Sequence, residues 1–154
     1  MTIEAAGTNT QFQSPKILAH CHVALPCHDL ERARHFYKTI LGCSEKRSSL
    51  NWVDFDFFGH QLTCHLVRSR TEKPEGHLID GDLVPSRHFG AILSPASWND
   101  LRSRLTHYDQ TFVIGPRLRF AGADGEQWTL FTKDPTANFV EFKYFTHSTV
   151  GGWY

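Results

Sequence analysis

Ten histidines in 154 residues are the side chains of this sequence best able to do chemistry, because neutral imidazole is the commonest metal ligand and the usual acid or base near neutral pH. Their spacing matters where neighbouring residues alternate. Ile17 to Leu25 (ILAHCHVAL) reads as a strand stopped by Pro26, so His20, His22 and Ala24 share one face and Cys21, Val23 and Leu25 the other. In the stretch His60 to Val67, Gln61, Thr63 and His65 lie opposite Leu62, Cys64 and Leu66. In the last strand, Phe139, Glu141 and Lys143 alternate with Val140, Phe142 and Tyr144, which sets a carboxylate inside an apolar run. A glutamate there is costly unless something positive meets it. His88 opens one further short apolar strand, HFGAILS.

Two histidines and one carboxylate around an ion with open positions form the facial arrangement of non-haem Fe(II) oxygenases, and His22, His88 and Glu141 fit that set. Aligned by element, His22 matches His88 and His65 matches Glu141, so all four are expected at the centre of one cup. Blander readings stand beside this one. A single strand histidine is more often a satisfied polar residue, Glu141 reads equally as a surface glutamate, and His20 suits the rim. A rival cluster of His20, His22, Cys27 and His28 offers zinc donors, but its HxHxxxxCH spacing matches no compact zinc pattern. There is no Ser-His-Asp order with a nucleophile elbow and no glycine-rich phosphate loop. Cys21, Cys27, Cys43 and Cys64 lack CxxC spacing and read as reduced thiols, most of them small hydrophobes.

The elements that must position these groups form a repeat. Asp29 offers an N-cap, apolar residues from Leu30 to Leu41 recur at helical spacing, and Gly42 stands ready as a C-cap. Strands follow near Cys43 to Ser48, Asn51 to Phe57 and His60 to Val67, the last two joined by a tight turn at Phe58-Gly59. Arg68 to Arg87, with two prolines and two glycines, reads as a linker or an excursion over a site rather than as an element. Then come a strand from His88, a helix opened by Pro95 with Ser94 or Ser97, Thr111 to Ile114, a turn at Gly115-Pro116, a strand near Leu118 to Phe120, Gln127 to Thr132 and Asn138 to Phe145. Two copies of β-α-β-β-β imply related half-sheets about a pseudo-two-fold axis, curving into a cup. The expected organisation is a tail at 1–15, one domain at 16–146 (module one 16–68, linker 69–86, module two 87–146) and a tail at 147–154.

Composition narrows the partners. Forty per cent hydrophobic and 21% charged residues describe a globular chain, and sixteen basic against sixteen acidic residues leave no footprint for nucleic acid or an anionic membrane. With no signal-like N-terminus and no long apolar run, cytoplasm is the expected location. Trp52, Phe55, Phe57, Phe89, Phe120 and Trp128 read as core or as cup wall, and Arg117 or Arg119 could meet an anionic group.

The ordered segments HVALPCHDLERARHFYKTILGC, WVDFDFFGHQLTCHL, RHFGAIL and GEQWTLFTKDPTANFVEFK resemble the vicinal oxygen chelate superfamily, which includes glyoxalases, bleomycin-resistance proteins, fosfomycin-resistance transferases and type I extradiol dioxygenases. The similarity runs from about Ile17 to Phe145 and is greatest to small single-domain extradiol-dioxygenase relatives. It implies an α+β fold of two βαβββ modules forming a cup-shaped mixed sheet with helices outside. It also implies a divalent metal on His22, His88 and Glu141. The glyoxalase-like pattern carries a glutamate on the fourth strand where this chain has His65, which becomes either a fourth ligand or an acid/base. The segment EQWTLFTKD lacks the tyrosine of two-domain extradiol enzymes. The resemblance thus implies an Fe(II) dioxygenase of the extradiol type, taking O2 and a small catechol-like or vicinally oxygenated substrate, and assembled as a homodimer. The alternatives are a lyase, isomerase or thiol transferase using Zn(II), Mn(II) or Ni(II), and a metal-free small-molecule binder.

Overall fold

The structure is a computed structural model and describes residues 20–68 and 75–147. The expected N-terminal tail, the first three residues of the first expected strand and most of the C-terminal tail lie outside the described residues.

Module one contains β1 (His22–Cys27), α1 (Leu30–Arg34), β2 (Ser44–Ser48), β3 (Trp52–Phe57) and β4 (His60–Leu66), and its sheet runs in the order β1-β4-β3-β2. Asp29 caps α1 by accepting from the amides of Glu31 and Arg32. Beyond Arg34 the helix widens into a π turn, His35–Ile40, that turns Phe36, Tyr37 and Ile40 into the core before Gly42 leaves it at φ +82°. The Phe58-Gly59 turn has positive φ at both residues, matching the twist of the strands it joins.

Pro26 does not end the first strand. The carbonyls of Cys21 and Cys27 accept from the amides of Gln61 and Val67, so the odd residues of β1 bond towards β4 and the even ones face the open edge. Proline's missing N–H costs the ladder nothing on that edge. The carbonyl of Pro26 is also used, accepting from Asn138 Nδ2 at 3.0 Å.

Between the modules the segment read as a linker holds a hairpin, β5 (Gly76–Ile79) and β6 (Asp82–Pro85), turning on Asp80-Gly81 with φ of 47° and 82°. Turn chemistry and a short alternating pair outweigh the proline and glycine content that signalled a loop.

Module two contains β7 (Phe89–Ile92), α2 (Pro95–His107), β8 (Ile114–Arg119), β9 (Gln127–Lys133) and β10 (Phe139–Phe145), with sheet order β7-β10-β9-β8. Ser94 caps α2 and Pro95 occupies its first turn. Gly115-Pro116 lies inside β8 rather than dividing it, and the register slips there between Ile114 and Arg117. An edge strand tolerates such a bulge because one side of its ladder is unpaired.

One apolar core joins the modules. Val53, Phe55, Phe57, Leu62 and Cys64 from the first sheet meet Leu130, Val140 and Phe142 from the second, with Phe36, Tyr37, Trp98, Leu101 and Leu105 from the helical segments. Phe57 approaches Phe89 at 5.3 Å and Phe142 at 6.2 Å between ring centroids. Buried polar bonds brace this core: Tyr37 Oη of module one donates to Asp134 of module two at 2.9 Å, and within module two Trp98 Nε1 donates to the carbonyl of Phe142 at 3.0 Å. No helix among the described residues is long and apolar enough to cross a membrane.

Candidate metal centre

Strand parity divides each sheet into an apolar face turned into that core and a polar face turned away from it. In the first sheet, pairing sets His22 beside Gln61, Thr63 beside Asp54 and His65 beside Trp52, all on the polar face. In the second, Gly90 lies beside Glu141 and Thr129 beside Lys143. Both apolar faces contribute to one core, so the polar face of each sheet is turned away from it.

The structure therefore brings together His88 and Glu141, and leaves His22 and His65 on the other sheet. His88 Nδ1 lies 2.6 Å from the carbonyl of Pro85, the last residue of β6. A carbonyl only accepts, so the proton sits on Nδ1 and the neutral ring directs the Nε2 lone pair outward. That nitrogen is 3.5 Å from Glu141 Oε2. Thr129 Oγ1 donates to the other carboxylate oxygen, Oε1, at 2.7 Å, and Lys143 Nζ lies 3.4 Å from Oε2. Phe131 packs edge-on to His88, ring centroids 5.2 Å apart, and shields the pair from one side.

The electrostatics follow from these contacts. The carboxylate of Glu141 beside His88, with a smaller contribution from the Pro85 carbonyl, raises the pKa of His88 against the effect of its burial. Burial opposes charge on Glu141, yet His88, Lys143 and Thr129 together hold its pKa below the ordinary glutamate value. Two donors, an imidazole whose Nε2 is bare in the neutral ring and a carboxylate, with 3.5 Å between them, suit a divalent ion about 2.1 Å from each. The pair fits two coordination positions. Among the described residues of one chain, no three His, Cys, Asp or Glu side chains come close enough to hold an ion.

His65 is placed differently from the element alignment. His22 is level with Gln61, and extending the β7 to β10 register by one residue makes His88 level with Phe139. Two residues further along lie Thr63 in the first sheet and Glu141 in the second, so Thr63 is the counterpart of Glu141 and His65 the counterpart of Lys143. His65 is level with Pro26, about 13 Å along β1 from His22. The rival zinc set does not assemble either: Cys27 faces the core, while His20 and His28 approach the carbonyls of Gly59 and Val67.

Burial also removes three cysteines as nucleophiles. It raises the thiol pKa of Cys27 and Cys64, and pushes that of Cys43 up to about 12.

Three features were missed in the sequence. Asp54 is buried on the polar face of the first sheet, accepting from Thr63 Oγ1 at 2.6 Å and from Arg47 Nε and NH2 at 3.1 and 2.9 Å. A cleft of about 430 Å³ opens beside it, bounded by His20, Lys46, Arg47, Asp56 and Gln61. Gly90 is obligatory, because a Cβ there would overlap the carbonyl of Glu141. The hairpin forms a wall of the site: Val84 packs with Ile114 and Phe131, and Asp82 binds Arg117 NH1 at 2.9 Å and Arg119 NH2 at 2.8 Å. Those arginines hold the hairpin. Of the aromatic residues singled out, Phe55, Phe57 and Phe89 belong to the core, and Trp52 lies on a polar face where Arg47 stacks over it at 5.7 Å.

Two βαβββ modules, each with one polar sheet face, define the vicinal oxygen chelate class of fold. Comparison with solved structures agrees. The chain is 31% identical to a glyoxalase/bleomycin resistance protein/dioxygenase from Alicyclobacillus acidocaldarius, with a TM-score of 0.72 over 84% of this chain and 93% of that one. It shares its fold with a glyoxalase/dioxygenase from Nostoc punctiforme (17% identity, TM-score 0.63, covering 96% and 99% of the two chains). It does so also with the fosfomycin resistance protein FosX from Listeria monocytogenes (17% identity, TM-score 0.64, covering 85% and 96%). No family model and no curated protein matches the sequence. The chain belongs to the glyoxalase/bleomycin resistance protein/dioxygenase family of the vicinal oxygen chelate superfamily.

Proposed function

We propose that the protein is a divalent-metal enzyme, an Fe(II) dioxygenase of the extradiol type, acting on a small catechol-like or vicinally oxygenated substrate. The observation that carries this reading is the His88 and Glu141 pair: an imidazole whose Nδ1–H is spent on Pro85 faces, at 3.5 Å, a carboxylate whose other oxygen is spent on Thr129. Both donors are oriented before any ligand arrives.

The third ligand in this reading is His22 of a second copy. His22 stands on the polar face of edge strand β1, and His88 precedes edge strand β7 with its side chain towards the polar face of the other sheet. Abutting β1 of one copy against β7 of another makes the two polar faces continuous and sets His22 opposite His88 and Glu141. A two-fold pair closes two such cups, which supports a homodimer.

A bound divalent ion would supply Lewis acidity and a template for two substrate oxygens and O2. The chain's own residues do the rest. Thr129 holds Glu141, Pro85 holds the His88 tautomer, and Phe131 with the β5-β6 hairpin keeps water from that side of the pair. The first sheet supplies the opposite wall, where Trp52 offers a flat surface and the Asp54 cleft offers polar contacts. His65, too far along β1 from His22 to share its ion, is assigned a proton-handling role at the rim. His65→Ala should lower turnover while leaving bound metal unchanged.

The test is anaerobic metal analysis combined with oxygen uptake over a panel of catechols and 2-oxo aldehydes. Iron bound at one ion per chain and O2 consumed in step with a catechol are expected. Turnover of a 2-oxo aldehyde without O2 uptake would replace this reading by a lyase or isomerase, and a protein that takes up no metal would replace it by a binder.

A further inference from the structure

We propose that Lys143 is the resident counter-ion of Glu141, and that a divalent ion must displace its ammonium to load the site. The inference rests on the metal-centre reading above and concerns a residue outside the ligand set.

The Glu141 side chain is only 11% exposed, and a carboxylate so placed needs a positive partner. Its two oxygens are unequally served. Oε1 receives the Thr129 hydroxyl at 2.7 Å, whereas Oε2 has two neighbours, His88 Nε2 at 3.5 Å and Lys143 Nζ at 3.4 Å. Lys143 is the next residue of β10 on the same face, level with Ile92 on β7 and Thr129 on β9. An ion held by His88 and Glu141 must use that same Oε2, so ammonium and metal compete for one oxygen.

Exchange requires no backbone movement. The Lys143 side chain is 26% exposed and ends a flexible four-carbon stem, so its head can swing into solvent while β10 keeps its register. The Glu141 carboxylate is compensated at every stage, first by the lysine and then by the metal. The cost is affinity, because each ion that binds must first break an existing charge pair.

The experiment titrates Co(II), read by its absorbance, and Zn(II), read by competition with a chromophoric chelator, into the full chain and its Lys143→Met and Lys143→Arg variants. Thermal midpoints are recorded with and without metal. Lys143→Met should bind both ions about tenfold more tightly, and its metal-free form should melt below the parent, the deficit disappearing on loading. Lys143→Arg, which keeps the charge, should stay near the parent in affinity. A parent that excludes metal while Lys143→Met accepts it would support the same conclusion. If the parent binds metal and Lys143→Met binds no more tightly, the counter-ion assignment is wrong and the metal reading stands. If Lys143→Arg binds as tightly as Lys143→Met, charge is not the cause and the assignment falls. If no form binds metal, both fall.

Discussion

His88 Nε2 faces Glu141 Oε2 across 3.5 Å, on the side of the imidazole opposite the Nδ1–H that Pro85 engages. This relationship links the two least expected parts of the chain. The Pro85 carbonyl belongs to the hairpin between the modules, so an element that reads as a linker sets the tautomer of a proposed ligand.

Thr129 aims the carboxylate, and its value lies in orientation. Thr129→Val keeps the volume and removes the donor at Glu141 Oε1, leaving a buried oxygen unserved. Metal affinity should fall by about ten- to a hundredfold. Isothermal titration with Zn(II) checks this, and an unchanged affinity would show that Glu141 is held by packing alone.

Gly90 allows β7 to run against the backbone of Glu141. Gly90→Ala forces the two strands apart, with an expected cost of about 1–3 kcal/mol in urea unfolding. Displacement of the adjacent His88 should weaken metal binding beyond the loss of stability. Gly122→Ala is the contrasting case: nothing lies within 4 Å of its added Cβ, although its φ of +74° still imposes strain. It should destabilise without touching metal affinity.

Asp54 governs the acid limb of stability on the other wall. Burial opposes its charge, but Thr63, Arg47 and Gln61 hold its pKa below the ordinary aspartate value. A depressed carboxylate stabilises the fold above its unfolded pKa, near 3.9, and that contribution is lost as pH falls through the lower folded value. Asp54→Asn should therefore cost about 1 kcal/mol at pH 7, modest because the Arg47 side chain is 74% exposed and solvent screens the pair. The difference from the parent should close as pH drops below 3.8, as read by urea unfolding across that range.

Much of the fold was legible because period and punctuation agreed. Asp29, Gly42 and the 30–41 apolar spacing located the first helix, and Phe58-Gly59 located a hairpin turn. Pro26 and Gly115-Pro116 misled for one shared reason: both sit on edge strands, where a missing amide or a bulge is tolerated, and edge position is a tertiary property. Site residues were legible as parity, which put His22, His88 and Glu141 on polar faces. Register was not legible, so His65 rather than Thr63 was matched with Glu141. Nor could parity show that His22 and Glu141 lie on separate sheets whose apolar faces share one core, since that is a tertiary property. The Pro85 partner of His88 escaped notice because a backbone carbonyl carries no signature, and Lys143, placed on the face of Glu141 by parity, was not matched to it as the positive partner.

In the proposed dimer each metal centre joins His22 of one copy to His88 and Glu141 of another. The direct measurement mixes His22→Ala with Glu141→Ala, allows subunits to exchange, and determines bound metal before and after mixing. Each variant alone should bind little. Each heterodimer then regains one intact site, so the mixed sample should recover tight binding at one ion per heterodimer, and mixing with no recovery would contradict the account.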